Sequence, residues 1–302
     1  MPSLQSYLLR FLMNRLNAFG GPGTTVQEMR RRGERGMRYV KPAANVTIQA
    51  VQAGSVPAEW SIPPYAPATQ AVLYFHGGAF VLGSVSTHRA MVSHLALACG
   101  SKILSVDYRL APEASFPAGL DDCAAAYRWL LGQGIAPGRI AVAGDSAGGN
   151  LALALLLKLR DEGAPLPAAA ACISPVTDLE GTRASRRTRA KIDPILGKGL
   201  GNTGLPASYI GDYDIHHPHI SPLFAELHGL PPVLIHVGTD EILFDDAIEF
   251  ADSARQAGVC AEVVVWPRMW HVFQMLVPIL PEARQSLAQI AQFIKDRFDD
   301  EA

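Results

Sequence analysis

With 302 residues, 49% of them hydrophobic and 18% charged, the chain is long enough for one large domain with a buried core. That balance excludes disorder, and a formal net charge of -2 gives no general attraction to nucleic acid, so no nucleic-acid partner is expected. Four cysteines, Cys99, Cys123, Cys172 and Cys260, make no CxxC pair and read as buried core residues of a reduced protein.

Leu4, Leu8, Phe11, Leu12 and Leu16 mark an amphipathic helix stopped at Gly20-Gly21-Pro22-Gly23, and its apolar face is expected to pack against the protein. Arg10, Asn14 and Arg15 interrupt that stretch and no small-residue cleavage site follows it. No apolar run reaches the roughly 18 residues of a membrane span, so a cytoplasmic protein is expected. A second helix starts near Thr24-Thr25 and runs through Arg30-Arg31-Arg32. Val46–Val51 and Val56–Trp60, joined across Ala53-Gly54-Ser55, predict an antiparallel hairpin. Strands and helices then alternate. Strands are predicted at Ala71–Phe75, Lys102–Asp107, Arg139–Ala143, Ala168–Ser174, Pro232–Val237 and Ala261–Trp266. Helices are predicted at His88–Cys99, Leu120–Leu131, Asn150–Glu162, Asp245–Gln256 and Glu282–Phe298. Near-continuous apolar strands between helices imply an α/β fold: a mostly parallel, mixed sheet of about eight strands with helices on both faces. Between Asp178 and Ser221 the alternation lapses into a helical insertion at the strand C-terminal edge, where such sheets bind ligands.

Gly144-Asp145-Ser146-Ala147-Gly148 lies between a predicted strand and a predicted helix. A G-x-S-x-G turn in that context exposes a serine hydroxyl at a helix N-terminus, where negative charge is favoured. A hydroxyl is a poor nucleophile and needs a base, a carboxylate to orient that base, and donors for an oxyanion. Asp240, after the strand Pro232–Val237, is the candidate carboxylate, with Glu241, Asp245 and Asp246 as competitors. His271, in the loop after the last strand, is the candidate base. Gly77, Gly78 and Ala147 are the candidate oxyanion donors, with His76 and Ala79 supporting the loop. Phe80, Asp145 and Tyr209 are candidate substrate-binding residues. His88, His94, His228 and His236 read as ordinary surface or core residues. His216, His217 and His219 match no zinc spacing, so no metal and no cofactor are expected.

Several long motifs in this order resemble the hormone-sensitive-lipase-like family of α/β-hydrolases, the bacterial family IV esterases. They are His76-Gly77-Gly78-Ala79-Phe80, Asp107 through Glu113, Gly144 through Ala152, Ser221-Pro222-Leu223 and the segment around Asp240. The resemblance implies an α/β-hydrolase core at 46–180 and 218–302, with cap elements at 1–45 and 181–217. It implies a serine carboxylesterase for small, short-acyl esters that works through an acyl-enzyme. Homodimerisation through 261–266 is implied as well. Ala79 departs from the family's usual third glycine; a positive φ there costs alanine about 1 kcal/mol. An amidase or deacetylase on the same residues is the alternative activity. A non-catalytic small-molecule receptor is the alternative from another class, disfavoured because His271 is retained.

Overall fold

The apolar runs become the strands of one sheet because each has both faces to bury and helix formers on either side. The structure is a computed structural model that describes residues 2–15, 23–197 and 205–299. The strands are β1 Thr47–Ala53, β2 Val56–Ile62, β3 Ala71–Phe75, β4 Lys102–Val106, β5 Ile140–Asp145, β6 Ala169–Ile173, β7 Val233–Gly238 and β8 Ala261–Trp266. Their order is β1-β2-β4-β3-β5-β6-β7-β8. The hairpin strand β2 runs antiparallel to β4, and every pair from β4 through β8 is parallel. The crossover helices are α3 Val85–Cys99, α4 Ala118–Gly132, α5 Ala147–Asp161, α8 Phe244–Gln256 and the C-terminal α9 Pro281–Asp299.

Period-two alternation sorts β3 into two cores. Leu73 and Phe75 join one with α4, α5 and α8; Val72 and Tyr74 join another with α3 and α9. The central strands β3 to β7 are therefore buried on both faces, while β1 and β8 at the edges are partly exposed. With β3 and β5–β8 parallel, their C-terminal ends share one edge, and every chemistry-bearing loop leaves from it.

The remaining helices, α1 Leu4–Met13, α2 Val26–Met37, α6 Ala184–Thr188 and α7 Leu205–Ile210, lie in the two segments predicted as cap. Leu16 and the Gly20-Gly21-Pro22 stop fall outside the described residues. Two expectations fail. Cys260 is exposed, in the turn before β8, while Cys99, Cys123 and Cys172 are buried. The apolar face of α1 does not pack: Leu4, Leu8, Phe11 and Leu12 point to solvent. Polar anchoring sets that rotation, since the Ser3 N–H and hydroxyl both donate to Glu282 and Arg10 reaches inward. Among the described residues no helix is long and apolar enough to cross a membrane.

Candidate active site

Ser146 sits at φ 54°, ψ -116°, between the last residue of β5 and the first of α5. A left-handed serine is strained, and the turn holds it because its neighbours are small. A Cβ on Gly148 would lie 1.9 Å from the Phe75 carbonyl oxygen, and one on Gly144 would lie 2.3 Å from that of Gly148. Only glycine fits at either position. The Ser146 N–H donates to Ile173 O at 2.8 Å, fixing the elbow to β6.

His271 Nε2 is 2.9 Å from Ser146 Oγ. The acid on its far side is Glu241, whose Oε2 lies 3.0 Å from His271 Nδ1. This corrects the expectation for Asp240, whose carboxylate turns outward to Arg10 of α1 at 2.8 Å. The exit from β7 explains the difference. The Asp240 N–H is tied to Met269 O at 3.0 Å, and the next residue, one methylene longer, swings beneath the histidine. Glu241 is fully buried; its Oε1 accepts from Gly238 N–H at 2.5 Å and from Ser174 Oγ at 2.8 Å. Since a carboxylate only accepts, Nδ1 of His271 must donate, leaving Nε2 to accept from the serine. Burial opposes charge on His271, but Glu241 outweighs it and holds the imidazole above its ordinary range.

The loop after β3 departs from expectation at one amide. Gly77 N–H donates backwards to Asp145 Oδ1 at 3.0 Å, so it does not face a substrate. Gly78 has φ 126° and Ala79 φ 54°, and the N–H of neither donates to the loop's backbone hydrogen bonds, in which Gly78 O accepts from Val81 and Leu82. Alanine therefore occupies the strained position. Asp145 is likewise no substrate contact. It is buried behind the loop, accepting from Tyr74 Oη at 2.6 Å and lying 3.3 Å from His88 Nε2. Burial opposes its charge, and His88 and Tyr74 outweigh that and hold the carboxyl below the ordinary range. His88, expected to be ordinary, is thus the counter-ion of this clamp; burial opposes its charge and Asp145 raises it above the usual range. His76 Nδ1 is 2.9 Å from Gly77 O, and its ring stacks on Tyr108 at 4.4 Å. Burial drives its pKa down to about 3, so it stays neutral. Phe80 and Tyr209 of α7 stack at 3.8 Å, bringing α7 onto the loop after β3.

Sequence reasoning missed Glu241 as the partner, Ser174 behind it and His88 behind Asp145. Glu241 was visible as a competitor one residue away. Nothing in the sequence marks Ser174 or His88.

Residues 72–275 match the family described as alpha/beta hydrolase fold. An acetyl-hydrolase of Streptomyces hygroscopicus is 44% identical over 85% of this chain and 83% of its own. An esterase of Acinetobacter venetianus is 41% identical over 82% of each chain. The crystal structure of an esterase from the bacterial hormone-sensitive lipase family superposes with a TM-score of 0.94 at 42% identity, covering 99% of both chains. The chain belongs to the α/β-hydrolase fold family, among the esterases of the bacterial hormone-sensitive-lipase type, and is a carboxylic ester hydrolase.

Proposed function

We propose that this chain hydrolyses small, short-acyl carboxylic esters through an acyl-serine intermediate on Ser146. The observation that carries the reading is the continuous relay from Ser146 Oγ through His271 to Glu241, at 2.9 and 3.0 Å. His271 Nε2 takes the serine proton as Oγ attacks the ester carbonyl, and Glu241 stabilises the imidazolium that forms. The amides of Gly78, Ala79 and Ala147 receive the oxyanion, with Gly77 and Asp145 holding the loop in place. His271 then protonates the leaving alcohol. Water, activated by the same imidazole, releases the acid and regenerates the serine.

Residues 1–45 and 181–217 act as the cap. The short-acyl preference is supported by the acetyl-hydrolase relatives and by the Phe80–Tyr209 stack, which fills space beside the oxyanion loop. Homodimerisation through 261–266 is supported by the position of β8 at the sheet edge, with Val265 exposed there.

Fluorophosphonate labelling and a panel of p-nitrophenyl esters from acetyl to palmitoyl, with an anilide control, test the reading together. Native protein should label at Ser146 and favour acetyl and butyryl esters, and Ser146→Ala should lose labelling and turnover while keeping its circular dichroism. Labelling of the alanine variant refutes the nucleophile. Palmitoyl rates equal to acetyl refute the short-chain preference, and anilide rates equal to the esters assign an amidase.

A further inference from the structure

The first helix wears its hydrophobic stripe on the outside. Leu4, Tyr7, Leu8, Phe11 and Leu12 are 85%, 46%, 60%, 51% and 45% exposed. Their spacing of i, i+3, i+4, i+7 and i+8 places them on one face. The helix is held firmly in this orientation, by Ser3 on Glu282 at its start and by Arg10 on Asp240 and the Arg268 carbonyl further along. Leu9 and Met13 meet the core from the other side. A rigidly presented apolar face of this width marks an interaction surface.

Charge decides what covers it. Residues 1–45 hold eight Lys and Arg against two Glu, a net +6, whereas the remainder of the chain is net -8. Glu28 is already engaged by Arg31 and Arg32, and Glu34 by Ser84 and Ser86. Among the described residues Arg15, Arg35, Arg38 and Lys41 are exposed and have no carboxylate partner. A second copy seated on this face would bring two net +6 segments together, and their repulsion opposes it. An anionic lipid surface complements both the apolar stripe and the excess positive charge.

Position fits too. α1 rests on loops that follow β7 and β8, through Asp240 and Arg268, and α2 on loops that follow β3 and β4, through Val81 and Ala111. Both therefore sit at the sheet edge where Ser146 opens. We propose that α1 and the basic residues of the adjoining segment dock this enzyme on anionic lipid surfaces, with the active-site end toward the lipid. This goes beyond the ester-hydrolase reading and is measured without turnover.

The test is co-sedimentation of the full chain with phosphatidylcholine vesicles, with and without phosphatidylglycerol. Native protein should bind the anionic vesicles and release as salt rises. The combined Leu4→Ser, Leu8→Ser, Phe11→Ser and Leu12→Ser variant should bind at least about tenfold more weakly. Arg35→Gln, Arg38→Gln and Lys41→Gln should each weaken binding to the anionic vesicles up to about fivefold and leave the neutral ones unchanged. Circular dichroism checks that each variant is folded. Absence of native binding, or equal binding by the serine variant, overturns the proposal. So does a dimer in gel filtration that the serine variant dissolves, which assigns the face to a second copy.

Discussion

Replacing Glu241 by glutamine separates the two neighbouring acids more sharply than any deletion. Oε1 of Glu241 accepts from the Gly238 N–H at 2.5 Å and from Ser174 Oγ at 2.8 Å. In glutamine only the carbonyl oxygen accepts, so it must take that place and the NH2 must face His271 Nδ1, which lies 3.0 Å from Oε2 in the native site. Nδ1 then becomes an acceptor, and the ring proton moves to Nε2, opposite Ser146 Oγ. A protonated Nε2 cannot take the serine proton. The same tautomer error costs a serine protease about 10⁴-fold, or about 5 kcal/mol at roughly 1.4 kcal/mol per tenfold. Asp240→Asn removes only the ion pair to Arg10, whose partners are 21% and 17% exposed. Its expected cost is at most about 1 kcal/mol of stability, with kcat/KM held within about threefold. Steady-state kinetics on p-nitrophenyl acetate read both variants. A Glu241→Gln enzyme within about tenfold of native, or an Asp240→Asn enzyme as damaged as Glu241→Gln, refutes the reasoning.

Because Glu241 overrides burial to hold the His271 imidazole above its ordinary value, and only the neutral ring accepts the serine proton, kcat/KM should rise with pH. The half-point should lie above the unperturbed value of about 6.5, and a profile already flat there refutes it. Gly77→Ala would place a Cβ 2.2 Å from Asp145 Oδ2, so the loop must move. A fall in kcat of about 10² or more, larger than any change in KM, is expected; a native kcat would show that the loop geometry is not used. His76 and His236 are buried with pKa values near 3, so the unfolded chain binds protons below about 6.5 that the folded one refuses. Stability should drop as pH falls from that point toward 3, by roughly 1.4 kcal/mol per pH unit for each histidine. His88 and His271, with raised values, add stability that is fully present below about 6.5 and is lost as pH rises through their folded pKa. Urea denaturation between pH 7 and 4.5 measures the sum, and an unchanged midpoint contradicts it.

The parallel part of the sheet was legible because β3 through β8 are largely apolar runs of five or six residues bounded by glycine, proline and helix formers, and β3 and β8 match residue for residue. The elbow was legible for a related reason. Steric exclusion of any Cβ at Gly144 and Gly148 leaves a trace in the sequence that survives without coordinates. The outward face of α1 was not legible. Amphipathicity reports that a helix has an apolar side, and here the polar contacts of Ser3 and Arg10 decide which way it turns. His88 was equally silent, because its partner Asp145 is 57 positions away in sequence and nothing local couples them.

Two of the misplaced assignments inside the site, at Asp240 and at Gly77, share one cause. The period of two that assigns side chains to faces holds within a strand and ends where the strand ends. Asp240 and Glu241 follow β7, and Gly77, Gly78 and Ala79 follow β3. Beyond those points direction is set by individual dihedrals, and they are unusual. Of the eight described non-glycine residues with positive φ, five are Ala79, Phe80, Ser146, Ser174 and Val272. All five lie in the loop after β3, at Ser146, behind Glu241 or next to His271. Such conformations cost of order 1–3 kcal/mol each and persist only where the surroundings over-determine them. Here the Gly77–Asp145–His88 clamp and the Ser174–Glu241–Gly238 bonds supply that constraint. The residue types needed for the reaction can therefore be read from the chain. Which of two adjacent residues performs each task is written in strained turns, which local pattern does not encode.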